Sequence, residues 1–269
     1  MSRAAAAEGR LSPMQFTWHA ADDGCERDCG GWIAAVGAIT SDTPARFDGF
    51  IGGRDARGAT VVLDSSGGSV LDAITIGRRW RALGLRTTVG TVTQRDSGDD
   101  GAGGGRVIKP DASCESMCVF LLLSGSMRTV PDGAHVRVHQ IWMGDRADDA
   151  KAASYTAQDL MIVERDIGRL AKYTFDMGGT GDLLALALSV PPWEPLHELS
   201  RAELRLTNVV TTETAAADEA PTGAAPKPVQ DRFAGDGTTP PSGAGTRTAE
   251  IPTAPTGGTA APEKKQRGE

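Results

Sequence analysis

Three short strand-like runs, the first two of them apolar, separated by helical stretches set the tightest limit on what this chain can fold into. The first, Trp32 to Ile39, is bounded by Gly30-Gly31 and Thr40-Ser41-Asp42. The second, Ala59 to Asp64, is rich in β-branched residues and stops at Ser65-Ser66-Gly67-Gly68-Ser69; the third runs from Arg86 to Val92. Apolar runs of this length between turn residues predict buried strands. Thr43 to Ile51 predicts a short helix, and Val70 to Leu83 a second one, with Ile74, Ile76, Trp80 and Leu83 near helical spacing and Gly84 to stop it. Strand, helix and strand at such spacing point to an α/β fold, a mostly parallel sheet with crossover helices.

Further along, residues 96–110 are rich in glycine and aspartate. A loop of that length inside a compact domain is either a functional flap or a surface insertion. The segment Cys114-Glu115-Ser116-Met117-Cys118-Val119-Phe120-Leu121-Leu122-Leu123-Ser124-Gly125 predicts a buried helix from Ser116 to Gly125 with a serine at its mouth. Val130-Pro131-Asp132-Gly133 makes a turn, and the alternating stretch from Ala134 to Ile141 predicts another strand. Tyr155 to Phe175 predicts a long amphipathic helix, since Leu160, Val163, Ile167, Leu170 and Thr174 recur three or four residues apart. A short helix over Leu183 to Leu188, a break at Pro191-Pro192, a small helix from Leu199 to Leu204 and a closing strand at Asn208-Val209-Val210 complete the pattern.

Composition divides the chain. Beyond Thr212 it consists of Ala, Thr, Pro, Gly and charge; Phe233 is the only aromatic there, and about half of the 15 prolines fall there. Such a stretch buries too little apolar surface to offset its conformational entropy, so 212–269 is expected to be a disordered tail and 25–211 a single domain. Residues 1–24 are expected to be a mobile N-terminus. Its Ala4 to Ala7 run before Glu8 resembles the cleavage end of a signal peptide, although no hydrophobic core region precedes it. The net charge of −7 comes from interspersed acids and bases, and the one basic cluster is Lys264-Lys265-Gln266-Arg267, so no nucleic-acid partner is expected. No apolar run is long enough for a transmembrane helix.

The four cysteines form two pairs of identical spacing, Cys25 with Cys29 and Cys114 with Cys118. Two disulfides in any of three connectivities, buried free thiols and a four-cysteine zinc site are all open to such a set. Zinc is disfavoured by the absence of a two-residue spacing. A disulfide from Cys114 or Cys118, to Cys25 or Cys29, would clamp the serine's helix and imply an oxidising compartment.

Chemistry is concentrated in three places. Gly67-Gly68 sits at a strand-to-helix turn, where glycines permit positive φ and close approach of a substrate to backbone N–H groups. Ser116 opens the apolar helix, and a serine hydroxyl becomes a competent nucleophile only beside a base. His139 is the candidate base, in His135-Val136-Arg137-Val138-His139-Gln140. His135 and His139 are not expected to share a metal, because four residues along a strand span roughly 13 Å.

The succession Ser-Ser-Gly-Gly-Ser-Val, then Glu-Ser-Met-Cys-Val-Phe-Leu-Leu-Leu-Ser-Gly, then Val-Arg-Val-His-Gln resembles the ClpP/crotonase superfamily. Within it the chain is most similar to the ClpP-like serine peptidases, and its flanking cysteines resemble the exported, periplasmic ClpP-like proteins of proteobacteria. The resemblance runs from about Trp32 to Val210. It implies a stack of repeated β-β-α units, Ser116 as nucleophile, His139 as general base, and an oxyanion hole from the N–H groups of Gly68 and Met117. The 155–175 helix would match the helix through which the family forms homo-oligomers. The family's third triad member precedes the Leu-Ser of the last helix, here Leu199-Ser200; the aligned position is Pro192, which leaves Glu194, or alternatively Asp182, as the acid.

The expected function is therefore a serine hydrolase acting on a peptide or protein substrate without a cofactor or a metal, periplasmic or otherwise exported, with a cytoplasmic location as the alternative. Whether an ATPase partner exists is left open by the residues. Two other readings stay open: a catalytically inactive binding or scaffolding protein of the same fold, and an acyl-thioester enzyme of the crotonase branch, which would not need a Ser-His pair.

Overall fold

The computed structural model describes residues 8–20, 31–94, 106–143 and 154–211. All lie in the first of two units into which the chain divides, Met1–Glu219. The expected tail at 212–269, Cys25, Cys29 and the centre of the 96–110 loop fall outside the described residues.

The architecture is α/β. A five-stranded sheet has the order β1 (Gln15–His19), β2 (Trp32–Val36), β3 (Thr60–Asp64), β4 (Arg86–Val89), β8 (Arg128–Thr129). Its last four strands are parallel and β1 runs antiparallel at the edge. Helices α1 (Thr43–Ile51) and α2 (Val70–Ala82) are the crossovers between the first three parallel strands. The signals that end α2 are local. Ser69 accepts the Asp72 N–H as N-cap, Arg79 and Arg81 occupy the last turn, and Gly84 beyond it has φ +65.

A hairpin of β5 (Thr91–Gln94) and β6 (Arg106–Lys109) and a small sheet in the order β10 (His197–Glu198), β9 (His135–Val138), β7 (Ser113–Glu115) complete the strands. The remaining helices are α3 (Met117–Leu123), α4 (Ala157–Asp176), α5 (Gly181–Leu188) and α6 (Arg201–Leu206). Every residue of α3 is buried. The carbonyls at its C-terminal end, which have no intrahelical partner, are covered by arginine. Arg81 donates to the carbonyls of Leu123, Ser124, Gly125 and Met177, and Arg128 to Gly125 and Asn208. Arg128 is buried, and desolvation, with the Arg81 charge beside it, lowers its pKa to about 10.

Four expectations need correction. The expected mobile segment 1–24 contains β1, which pairs residue for residue with β2 from Gln15↔Val36 to His19↔Trp32. The expected strand from Arg86 to Val92 is two strands. Gly90 donates to Leu63 at 3.0 Å and passes so close to Ile108 that an added Cβ would sit 2.6 Å from its Cγ2; beyond it the chain leaves the main sheet for the hairpin. Accordingly, the final part of the expected 96–110 loop is strand β6. Asn208-Val209-Val210 forms no strand; instead the next residue, Thr211, bonds both ways with Arg128 on β8, N–H to carbonyl at 3.0 Å and Oγ1 from N–H at 2.8 Å.

Candidate active site

Ser116 is the single residue between β7 and α3, and its backbone is unusual. Its φ of 55° and ψ of −123° lie in a region that side chains enter only under constraint. Ser116 and Asn208 are the non-glycine residues with positive φ among those described. Asparagine tolerates this region at helix ends; serine does not do so readily. The constraint comes from both sides. The Glu115 N–H donates to Ser65 at 3.0 Å, the Ser116 N–H to Arg137 at 2.8 Å, and α3 is locked in the core. Ser116 is the N-cap of α3, yet its hydroxyl makes no capping hydrogen bond. A serine in this place ordinarily bonds the first turn, so this hydroxyl is left facing elsewhere.

Ser116 lines a cavity of about 680 Å³, which Gly68, Met117 and His139 also line. Gly67 and Gly68 have φ of 88° and 134°, and each is crowded. An added Cβ on Gly67 would lie 2.6 Å from the Glu115 carbonyl oxygen, and one on Gly68 would overlap the Ile39 carbonyl. Gly67 thus packs directly against the serine's turn, and Gly68 against Ile39. Backbone bonds fix the pair there, Ile39 N–H to Gly67 carbonyl at 2.6 Å and Ser69 N–H to Ile39 carbonyl at 2.8 Å. The amides of Gly68 and Met117 donate to no group among the described residues.

His139 lies one residue beyond β9, not inside a strand reaching Ile141 as its alternation predicted. Val138 before it pairs with His197, and Gln140 after it donates to the Val190 carbonyl at 2.9 Å, so the imidazole is suspended between two anchored neighbours. The Trp142 ring stands edge-on to it, with centroids 6.5 Å apart. Burial lowers the His139 pKa below the ordinary imidazole value, opposed by a backbone bond of Gln140 and the Glu115 charge. The ring is therefore neutral near pH 7 and able to accept a proton. His135 pairs with Glu198 at 2.6 Å on the outer sheet face, and no cluster of metal-ligating side chains occurs among the described residues.

Neither expected acid reaches this cavity. Asp182 is exposed in the first turn of α5, where it accepts from Thr180, and Glu194 is exposed in the turn after Pro191. The carboxylate on the cavity wall is Asp166 of α4, half-buried and ion-paired through Oδ1 to Arg169 at 3.2 Å. Sequence reasoning missed it, although a signal existed: Asp166 sits three residues after Val163 and four before Leu170, inside the apolar stripe of its helix. Of the pairings left open for the cysteines, the structure shows one. Cys114 and Cys118 are bonded to each other rather than to Cys25 or Cys29.

No protein-family model matches this chain, and no curated protein matches it either.

Proposed function

We propose that the protein is a ClpP-like serine hydrolase, with a peptide or protein as substrate. The observation that carries the reading is Ser116: a serine held at positive φ between a strand and a buried helix, its hydroxyl making no cap bond, on one cavity with His139. A sharp strand-to-helix turn with the nucleophile at its apex is the geometry by which hydrolases expose a serine. In this reading Ser116 Oγ adds to the scissile carbonyl, giving a tetrahedral oxyanion, while His139 takes the hydroxyl proton. His139 then gives that proton to the leaving amine as the C–N bond breaks and the acyl ester forms, and water, with His139 as its base, adds to the ester and releases the acid and the Ser116 hydroxyl. The Gly68 and Met117 N–H groups, which have no other acceptor among the described residues, stabilise the oxyanion.

The same reading takes the crossover units as a ClpP/crotonase-type stack. It takes the outer half of α4, where Leu160 and Met161 are 51% and 68% exposed, as the contact between copies of the chain. The buried disulfide fits an oxidising, exported location.

A fluorophosphonate probe tests the assignment. Labelling at Ser116 that vanishes in Ser116→Ala and falls steeply in His139→Ala is expected; an unlabelled native protein overturns it. One observation favours a second reading, an inactive binding protein of the same fold: neither expected acid lines the cavity beside His139. That protein would keep the cavity and leave the probe unreacted.

A further inference from the structure

The hydrolase reading gives no task to the two cysteines, and their placement around the serine is specific. Cys114 lies in β7 and Cys118 in the first turn of α3, both wholly buried, and their bond closes a ring over Glu115, Ser116 and Met117. Ser116 is the middle residue of that ring. The closure entropy of a loop grows with the logarithm of its length, so a ring this short constrains the unfolded chain only weakly. Its effect is local, and the local feature it encloses is the one serine backbone that φ alone would not choose. The backbone bonds of Glu115 and Ser116 and the buried helix hold the turn from either side; the ring adds the covalent tie across it, and without that tie Ser116 has more freedom to relax toward α or β conformations that relieve the positive φ. Either rotation would change the directions of the Ser116 hydroxyl and the Met117 N–H relative to the cavity both residues line.

We propose that the Cys114–Cys118 disulfide is a positioning device for Ser116, holding strand and helix together across the turn so that the serine hydroxyl and the Met117 amide face the same cavity. The inference rests on the hydrolase reading of that cavity. It assigns the two cysteines an effect on rate at the serine, through the backbone between them, rather than contact with substrate.

The test compares the full chain with its Cys114→Ala/Cys118→Ala variant, using a fluorophosphonate whose inactivation rate and binding constant are measured separately. Hydrogen exchange of the peptide over 113–119 is followed in parallel. Loss of positioning should lower the maximal inactivation rate by 10-fold or more, leave probe binding within twofold, keep the labelled fraction near complete and speed exchange in 113–119. A general folding defect would instead reduce the labelled fraction. Should the double variant not fold, phosphine reduction of the native protein gives the same comparison, and reoxidation should restore the rate. An inactivation rate within twofold of the native protein, or mass mapping that finds Cys114 and Cys118 not bonded to each other, overturns the proposal. A native protein that takes no label defeats the hydrolase reading instead, and unchanged exchange over 113–119 in the disulfide-free protein then overturns the positioning role on its own.

Discussion

Replacing Ser116 by glycine should make the protein more stable and chemically silent at once. The residue sits at φ 55° and ψ −123°, a region that costs a non-glycine residue about 1–3 kcal/mol. Alanine at this position keeps that strain, whereas glycine removes it. Glycine's greater freedom in the unfolded chain takes back about 0.4–1 kcal/mol. Ser116 is only half-buried, so trimming its side chain leaves little void. The balance favours Ser116→Gly over Ser116→Ala by about 1 kcal/mol, or about 2–4 °C in Tm for a domain of this size. Thermal unfolding followed by circular dichroism at neutral pH measures it directly, and because both variants lack the hydroxyl, the comparison isolates the backbone. A Ser116→Gly protein that melts at or below Ser116→Ala would refute the strained-turn argument.

His139→Ala should slow fluorophosphonate labelling by about 10²-fold or more, the usual loss on removing a general base. In the native protein the labelling rate should rise with pH through an acid limb that lies below the ordinary imidazole range, because burial lowers the His139 pKa. The same shift makes the unfolded chain bind a proton that the folded state resists, so stability should fall as pH drops from the ordinary imidazole value to the lowered one; urea titrations across that window read the sign. Gly68→Ala should lose more than about 1–3 kcal/mol, since φ of 134° and contact with the Ile39 carbonyl leave no room for a methyl group, and labelling should fall with it. Asp182→Asn and Glu194→Gln should each leave labelling within twofold, because both side chains point to solvent away from the cavity; a large loss in either would restore it as the acid behind His139.

What was legible in the sequence was whatever a few consecutive residues decide. The helix from Val70 carries its own cap at Ser69 and its own stop at Gly84, and the apolar run after Ser116 is long enough to be unmistakably buried. The glycine pair, the serine and the histidine were legible for the same reason, as residue types whose chemistry or φ stands out. What escaped depends on partners distant in the chain. Gln15–His19 is a short strand of mixed polarity, and only pairing with Trp32–Val36 makes it one. Gly90 ends a strand because Ile108 crowds it from the facing hairpin, eighteen residues on. Which of the three cysteine connectivities forms could not be chosen from spacing alone, because the Cys114–Cys118 bond depends on the turn at Ser116. Asp166 was hidden by the stripe of apolar neighbours that carries it into the cavity wall.

The main sheet has two edges, and segments from opposite ends of the described chain guard them: β1 lies along one side, and Thr211 is bonded to Arg128 on the other. Unpaired strand edges invite pairing with another chain. During synthesis the parallel strands and the whole α3 core emerge while the edge at β8 still lacks Thr211, so the nascent domain passes through a stage with one side of its sheet open. A ribosome-stalled chain that ends shortly before residue 211 would present that side to neighbours. Closure of that edge thus waits on Thr211, which is synthesised after the core it flanks.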